Sequence, residues 1–474
     1  MFALLILVPL AGLILMNLPI GAALKRLAFP LALALTVAQS LLIACPAGVA
    51  WLGGGTLDHY FNFSLGIDGL SRVLLLSVGI VVFTTLLVGR AMLVGPRRQF
   101  NFVSLMLLAM IGMNGTVMLS DLFSLYVFIE ITSVSSFILI ALTRGRDSLE
   151  GAFKYIILSA VATIMMLASV AVLLMVAGGT SFEVIAAALK NSPHSLIARI
   201  GMGAFVCALF IKGGLVPFHG WLPAAYSAAP APVSIFLAGI ATKASGIYAL
   251  VRLATYVFPQ SPAVNNVLML VGAASIIIGA VAAVSQSDIK RLLAYSSISQ
   301  VGYIILALGC GSPLAVAGAI FHLFNHAIFK SLLFVSSAAV EQRTGTTDMA
   351  QLGGLGSRMP VTSATSAIAA LSTAGIPPLA GFWSKLIIIV ALWQAGFHAY
   401  AVIAIGMSVL TLAYLLVMHR KVFFGNVGEA LAQTREASWG LLVPAVVLAA
   451  ITIGLGVAMP YVVNTFILPI SRIL

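Results

Sequence analysis

Long apolar runs follow one another from end to end of the chain, separated by short polar or glycine- and proline-bearing breaks. A membrane-spanning helix needs about 20 predominantly apolar residues. The pattern predicts fourteen such spans, starting near Phe2, Leu27, Val73, Asn101, Leu122, Phe153, Ala198, Pro232, Val264, Leu292, Pro313, Val361, Tyr400 and Trp439. The runs are too long for barrel strands, which alternate over about 10 residues. Very short turns lie before Leu122 and around Gly311. No basic residue precedes the first apolar run, which argues against a cleaved signal peptide. The expected fold class is an all-α polytopic membrane protein of about 14 transmembrane helices.

Composition agrees with that pattern. Of 474 residues, 61% are hydrophobic and 8% charged, against roughly a quarter charged in soluble domains. Such a chain is not a soluble enzyme, a disordered protein or, despite a net charge of +12, a nucleic-acid binder. Its charge reports orientation instead. The odd-numbered loops hold Lys25, Arg26, Arg90, Arg97, Arg98, Arg144, Arg146, Lys154, Lys290, Arg291, Arg343, Arg358, Arg420, Lys421 and Arg435. The even-numbered loops hold Arg72, Lys190, Arg199 and Arg252, and the C-terminus adds Arg472. The positive-inside rule therefore predicts cytoplasmic odd loops and both termini outside. Cys45, Cys207 and Cys310 form no CxxC or zinc-like spacing, and nucleotide, haem and iron–sulfur fingerprints are missing. No cofactor or metal is expected, and any redox energy would come from a partner.

Four lysines belong to no loop: Lys212, Lys243, Lys330 and Lys385. Glu130, inside LFSLYVFIEITSVSSFILIAL, is the one acid in the same position. A charge at mid-bilayer costs about 2.5–3.5 kcal/mol on the insertion scale. One lysine could snorkel to an interface, but five such residues predict titratable groups facing the bundle interior. Burial discourages a lysine's charged form and a nearby carboxylate favours it. Glu130 can therefore load and unload a mid-membrane lysine, and Lys212 is the expected partner. In FHLFNHAIFK, His322, His326 and Lys330 fall at i, i+4 and i+8, on one helix face and about 6 Å apart along the axis. Imidazole both accepts and donates a proton near neutral pH, so these three predict a relay. A packing role and a metal site are the alternatives, and no nearby acid or cysteine completes the metal set.

Two spans are predicted to be broken. Lys212 stands near the start of IKGGLVPFHGWLPAAYSAAPAP, ahead of Pro217, Pro223, Pro230 and Pro232, and Lys385 closes STAGIPPLAGFWSK. Proline removes a backbone donor and glycine lets the chain leave the helix. Gly214, Pro217 and Gly220 align with Gly375, Pro378 and Gly381 at an offset of 161 residues. The breaks fall in spans seven and twelve, as two five-helix repeats would require. Paired discontinuous helices point to an inverted-repeat transporter with its ion site at the breaks. The predicted organisation is helices 1–3 in residues 1–100, a first repeat (helices 4–8) in 101–257, a second (helices 9–13) in 258–420, and the last loop and helix in 421–474.

These residues resemble the antiporter-like proton-translocating subunits of respiratory complex I, Mrp-type cation/proton antiporters and membrane-bound hydrogenases. The resemblance covers spans four to thirteen. It rests on Glu130, FIKGGLVPFHGWLPAAYSAAPAPVSIFLAGIATK, SDIKRLLAYSSISQVGY, FHLFNHAIFKSLLF and GIPPLAGFWSK. It implies fourteen helices with two inverted five-helix repeats, and two half-channels joined along a polar axis. By the same resemblance, Glu130 is the helix-five glutamate and Lys212 the lysine at the broken seventh helix. Lys243 is the connecting lysine of helix eight, and His322, His326 and Lys330 are the central relay. Lys385 is the terminal basic residue of helix twelve, where some relatives carry glutamate. The chain ends soon after the last span, so the long lateral helix of the largest complex I subunit is not expected.

The implied function is translocation of protons, with sodium as a second candidate ion, by one subunit of a multi-subunit assembly in the cell (inner) membrane. Its partners would be other membrane subunits, and no redox cofactor would be its own. An independent solute transporter and a non-pumping scaffold are the alternatives. The sparsely polar spans offer little to recognise an organic solute, and a scaffold gains nothing from the insertion cost of five charges.

Overall fold

A computed structural model describes residues 3–18, 27–45, 48, 58–60, 63–191, 195–258 and 261–469. Each predicted span has a helical counterpart. The chain begins with α1 (Leu4–Asn17) and α2 (Ala28–Ala44). A short antiparallel hairpin, β1 (Asp58–Tyr60) and β2 (Phe63–Leu65), precedes α3 (Gly69–Met92). Next come α4 (Pro96–Met118), α5 (Leu122–Ile140) and α6 (Arg146–Ala177). The seventh is split into α7a (Leu196–Gly213) and α7b (Trp221–Ala228). Then follow α8 (Ala231–Tyr256), α9 (Pro262–Val284), α10 (Ile289–Cys310) and α11 (Pro313–Thr344). The twelfth is split into α12a (Pro360–Ala374) and α12b (Ala380–Gln394), and α13 (His398–Phe423) and α14 (Trp439–Val457) end the bundle. Among the described residues, 11 helices are long and apolar enough to cross a membrane, while α1, α2 and α12b are shorter.

Matching local devices recur five helices apart. Asp121 caps α5 by accepting from the Ser124 amide at 2.7 Å, and Asp288 caps α10 by accepting from the Arg291 amide at 2.8 Å. Each aspartate also accepts from a threonine hydroxyl, Thr180 and Thr347 respectively. Each forms a backbone bridge beside it, Asp121 to Ser181 and Asp288 to Asp348. Five helices run between the two aspartates, so these matching corners lie at opposite ends of the bundle. Both breaks follow a helix ended by glycine in the left-handed region, Gly214 at φ 67° and Gly375 at φ 86°. Only glycine adopts that conformation without strain, which is why it stops both helices.

Burial separates the bundle into a lipid-facing shell and a core. α6 and α13 turn large apolar side chains outward, among them Ile164, Met175, Val402 and Val409. α8, α10 and α11 are enclosed, and they carry much of the candidate chemistry. α8 is also irregular, with π-helical turns at Leu237–Ala241 and Lys243–Tyr248. Its Gly246 packs backbone to backbone on the end of α7a: a Cβ there would stand 2.4 Å from the Gly213 nitrogen. The first break is thereby pressed against the helix bearing Lys243.

Two of the charges assigned to loops are buried in the bundle. Arg252 is inside α8, and Lys290 is in the first turn of α10. The helices run beyond the apolar runs because each charge meets an acid across the bundle, a contact that run length does not encode. Arg97 and Arg98 likewise open α4 instead of preceding it. Lys25, Arg26 and Arg472, and the side chains of Asp58 and His59, lie outside the described residues.

Candidate functional site

Glu130 is near the middle of α5, and Lys212 stands at the end of α7a just before the break. The Lys212 ammonium donates to Glu130 Oε1 at 2.7 Å, to Ser133 Oγ at 2.9 Å and to Ser159 Oγ at 2.7 Å. All three of its protons are therefore satisfied, by one carboxylate and two hydroxyls. Ser133 is one turn beyond Glu130 on the same helix, so α5 offers both oxygens from one face. The lysine side chain is fully enclosed, whereas 22% of the glutamate side chain is exposed. The expected pair is present, with its acidic end at the margin of the molecule.

Lys243 lies at mid-height of α8, fully buried, and donates to the Ala238 carbonyl. A π-turn displaces main-chain carbonyls from the regular ladder, and here one carbonyl within the first π segment receives the ammonium. Thr242 Oγ1 is a second, longer contact at 3.4 Å. Lys243 is within electrostatic reach of both His326 and Lys330.

The central three residues line one face of α11. Lys330 donates to Ser296 Oγ at 2.7 Å and to the Leu293 carbonyl at 3.3 Å, both on α10. The rings of His322 and His326 are 6.3 Å apart between centroids. His322 Nδ1 is hydrogen-bonded to Ser384 Oγ at 2.9 Å, on α12b and beside Lys385. The Lys385 ammonium donates to Ser408 Oγ at 3.1 Å and sits 4.6 Å above the centre of the Tyr303 ring. The second break thus places Lys385 at the end of the histidine row. Six of the seven predicted residues are buried in one bundle and Glu130 is partly exposed: Glu130 is paired with Lys212, while Lys243, Lys330, His326, His322 and Lys385 form a group linked by electrostatic reach.

Sequence reasoning missed the hydroxyls that hold the lysines, Ser133, Ser159, Ser296 and Ser408. The serine one turn from Glu130 carried a usable signal; the others are brought in by tertiary packing. It also missed two charge clusters nearer the ends. Lys290 pairs with Glu341 at 2.7 Å and donates to the Ala229 carbonyl at the end of α7b. Arg252 pairs with Asp68 at the start of α3, and its guanidinium also donates to Ser71 Oγ and the Tyr248 hydroxyl. Burial would raise the Asp68 carboxyl, but the Arg252 hydrogen bonds and charge prevail and hold it well below the ordinary carboxylate range.

Chemically, these residues supply one acid and six groups able to take up and release a proton, with Lys212 bonded directly to Glu130 and the other lysines and His322 each held by a hydroxyl or a main-chain carbonyl. Protons can be relayed through such groups at mid-height, sheltered from bulk water by the apolar shell.

Residues 120–411 match the family model described as NADH:quinone oxidoreductase/Mrp antiporter, transmembrane. The D-type component of the Na(+)/H(+) antiporter of Alkalihalophilus pseudofirmus is 32% identical over 412 residues, covering 87% of this chain and 83% of that protein. The N-type component of the NADH-quinone oxidoreductase of Desulforudis audaxviator is 37% identical over 359 residues, covering 75% and 71%. Among solved structures, one protein of the Mrp complex from Dietzia sp. DQ12-45-1b superposes with a TM-score of 0.89 at 25% identity, covering 100% of this chain and 98% of that one.

Proposed function

Because this chain belongs to the NADH:quinone oxidoreductase/Mrp antiporter transmembrane family, we propose that it is an ion-translocating membrane subunit of a multi-subunit assembly. The ion is the proton, and its path is the row from Glu130 to Lys385. The observation that carries this reading is the gathering of buried titratable side chains inside the bundle, Lys212 against Glu130 and Lys243, Lys330, His326, His322 and Lys385 within electrostatic reach of one another. Four lysines and two histidines in an apolar interior are otherwise an uncompensated cost.

In this mechanism Glu130 sets the charge state of Lys212. Weakening their 2.7 Å contact releases the lysine's proton toward Lys243, and Lys330 takes it on. The two histidines pass it along α11, each accepting at one ring nitrogen and donating from the other. Lys385 receives it at the second break. Residues 101–257 and 258–420 are the two repeats that contribute the two halves of the path. The protein lies in the cell membrane with odd loops in the cytoplasm and both termini outside. Other membrane subunits complete the assembly and supply the driving force.

The test uses the intact complex in sealed membrane vesicles, energised by an imposed sodium gradient or by electron donors, with proton movement followed by a pH-sensitive dye. His326→Ala should reduce proton movement by at least tenfold without loss of assembly. Adding Lys330→Ala should add little, because one broken link already stops a single path. Losses that multiply in the double variant would contradict a single path.

A further inference from the structure

The segment SDIKRLLAYSSISQVGY supplies most of α10, yet the row above engages only its Leu293 carbonyl, Ser296 and Tyr303. α10 and α11 are joined by Gly311 and Ser312 alone, so they run antiparallel. Two contacts set their register: Lys330 donates to Ser296, and the His322 and Tyr303 rings lie 5.9 Å apart. Gln300 is one turn along α10 from Ser296, and His326 is one turn back along α11 from Lys330. In an antiparallel pair these two positions face each other.

Both facing side chains are fully buried and lack partners. Neither amide atom of Gln300 is hydrogen-bonded within the protein, and neither ring nitrogen of His326 is. Ser299 Oγ, on the preceding residue, is also unpartnered, and the ring of His322 lies against the Gln300 main chain. Buried polar atoms of this kind are satisfied by internal water, which typically makes about three hydrogen bonds. The charged groups within electrostatic reach of His326 are Lys243, Lys330, His322 and Lys385. All are basic, so the site favours a neutral guest over a cation.

We propose that Gln300 is a positioning residue of the relay, its amide holding a buried water molecule between His326 and His322. The inference rests on the reading of this row as the proton path. The two rings are not bonded to each other, so a proton passing between them needs an intermediary that both accepts and donates. An amide fixes such a water by offering two N–H donors and a carbonyl acceptor without titrating itself. Leucine at the same place fills the space and removes the anchor.

The experiment compares Gln300→Leu, Gln300→Asn and His326→Ala in the intact complex, by proton movement in vesicles and by infrared spectra of weakly hydrogen-bonded water. Gln300→Leu should slow proton movement at least tenfold and remove a water O–H band, while melting no lower than the unaltered complex. Gln300→Asn, which keeps the amide, should stay within about threefold of the unaltered rate. If Gln300→Leu does not assemble, Gln300→Met replaces it. Unaltered flux in the apolar variant beside a loss in His326→Ala overturns the role of Gln300 and leaves the path standing. Unaltered flux in both overturns the path and this inference with it. Equal losses in the leucine and asparagine variants, or an unchanged water band in the former, also overturn it.

Discussion

Replacing Glu130 by glutamine removes one charge and little else. The amide preserves the side chain's shape and can still accept from Lys212, while Ser133 and Ser159 remain in place. What disappears is the attraction between unit charges 2.7 Å apart, roughly 6 kcal/mol at an effective dielectric of about 20. Solvent at the exposed part of the glutamate, 22% of the side chain, brings this to about 3 kcal/mol. That is on the order of a hundredfold in any equilibrium that depends on the pair. Proton movement in energised vesicles should therefore fall by about two orders of magnitude while the complex assembles normally on native gels. Glu130→Asp keeps the charge but draws it back by one methylene, and should retain an intermediate rate. A glutamine variant that moves protons within twofold of the unaltered complex would refute the modulating role of Glu130.

Three further outcomes follow from other parts of the structure. Lys385→Arg should lower proton movement at least tenfold, because guanidinium stays protonated; an unimpaired rate in the same vesicles would remove Lys385 from the path. Asp68→Asn, which strips Arg252 of its carboxylate, should lower the stability of the detergent-solubilised protein by about 1–3 kcal/mol in a thermal melt. Because folding lowers the Asp68 carboxyl, the pair's contribution is fully present above the ordinary carboxylate value of about 4 and is lost as pH falls through the folded value. The melting difference between Asp68→Asn and the unaltered protein should therefore shrink only on acidification. Single cysteines at Asp58 and Arg97, in a background lacking Cys45, Cys207 and Cys310, should react with an impermeant maleimide in intact cells at position 58 alone. Labelling at position 97 instead would invert the orientation.

The spans were legible because burying a helix in lipid demands about 20 apolar residues in a row, and the chain meets that demand almost without interruption. The breaks were legible because glycine and proline act locally. Gly214 and Gly375 end their helices by their own backbone freedom, whatever surrounds them. The intramembrane lysines stood out against so apolar a background. Arg252 and Lys290 did not, since each lies within a few residues of a run's end and is drawn inside only by an acid distant in sequence, Asp68 or Glu341. The π-turns of α8 left no composition signal, as the first lies where the chain is packed against α11 and the second where it is packed against α7a. The orphan amide of Gln300 was equally silent: its neighbour His326 is opposite only once α10 and α11 have folded back on each other.

The account stands or falls on continuity between the two halves, and Lys243 is the link between the Glu130–Lys212 pair and the histidine row. Lys243→Met fills nearly the same space in the core of α8 and removes the titratable group that joins them. Proton movement by the intact complex carrying this substitution, measured in vesicles against the unaltered complex at equal assembly, tests the claim most directly. The account predicts flux at the level of vesicles without the complex. Flux equal to that of the unaltered complex would show that protons do not cross from one half to the other along this row.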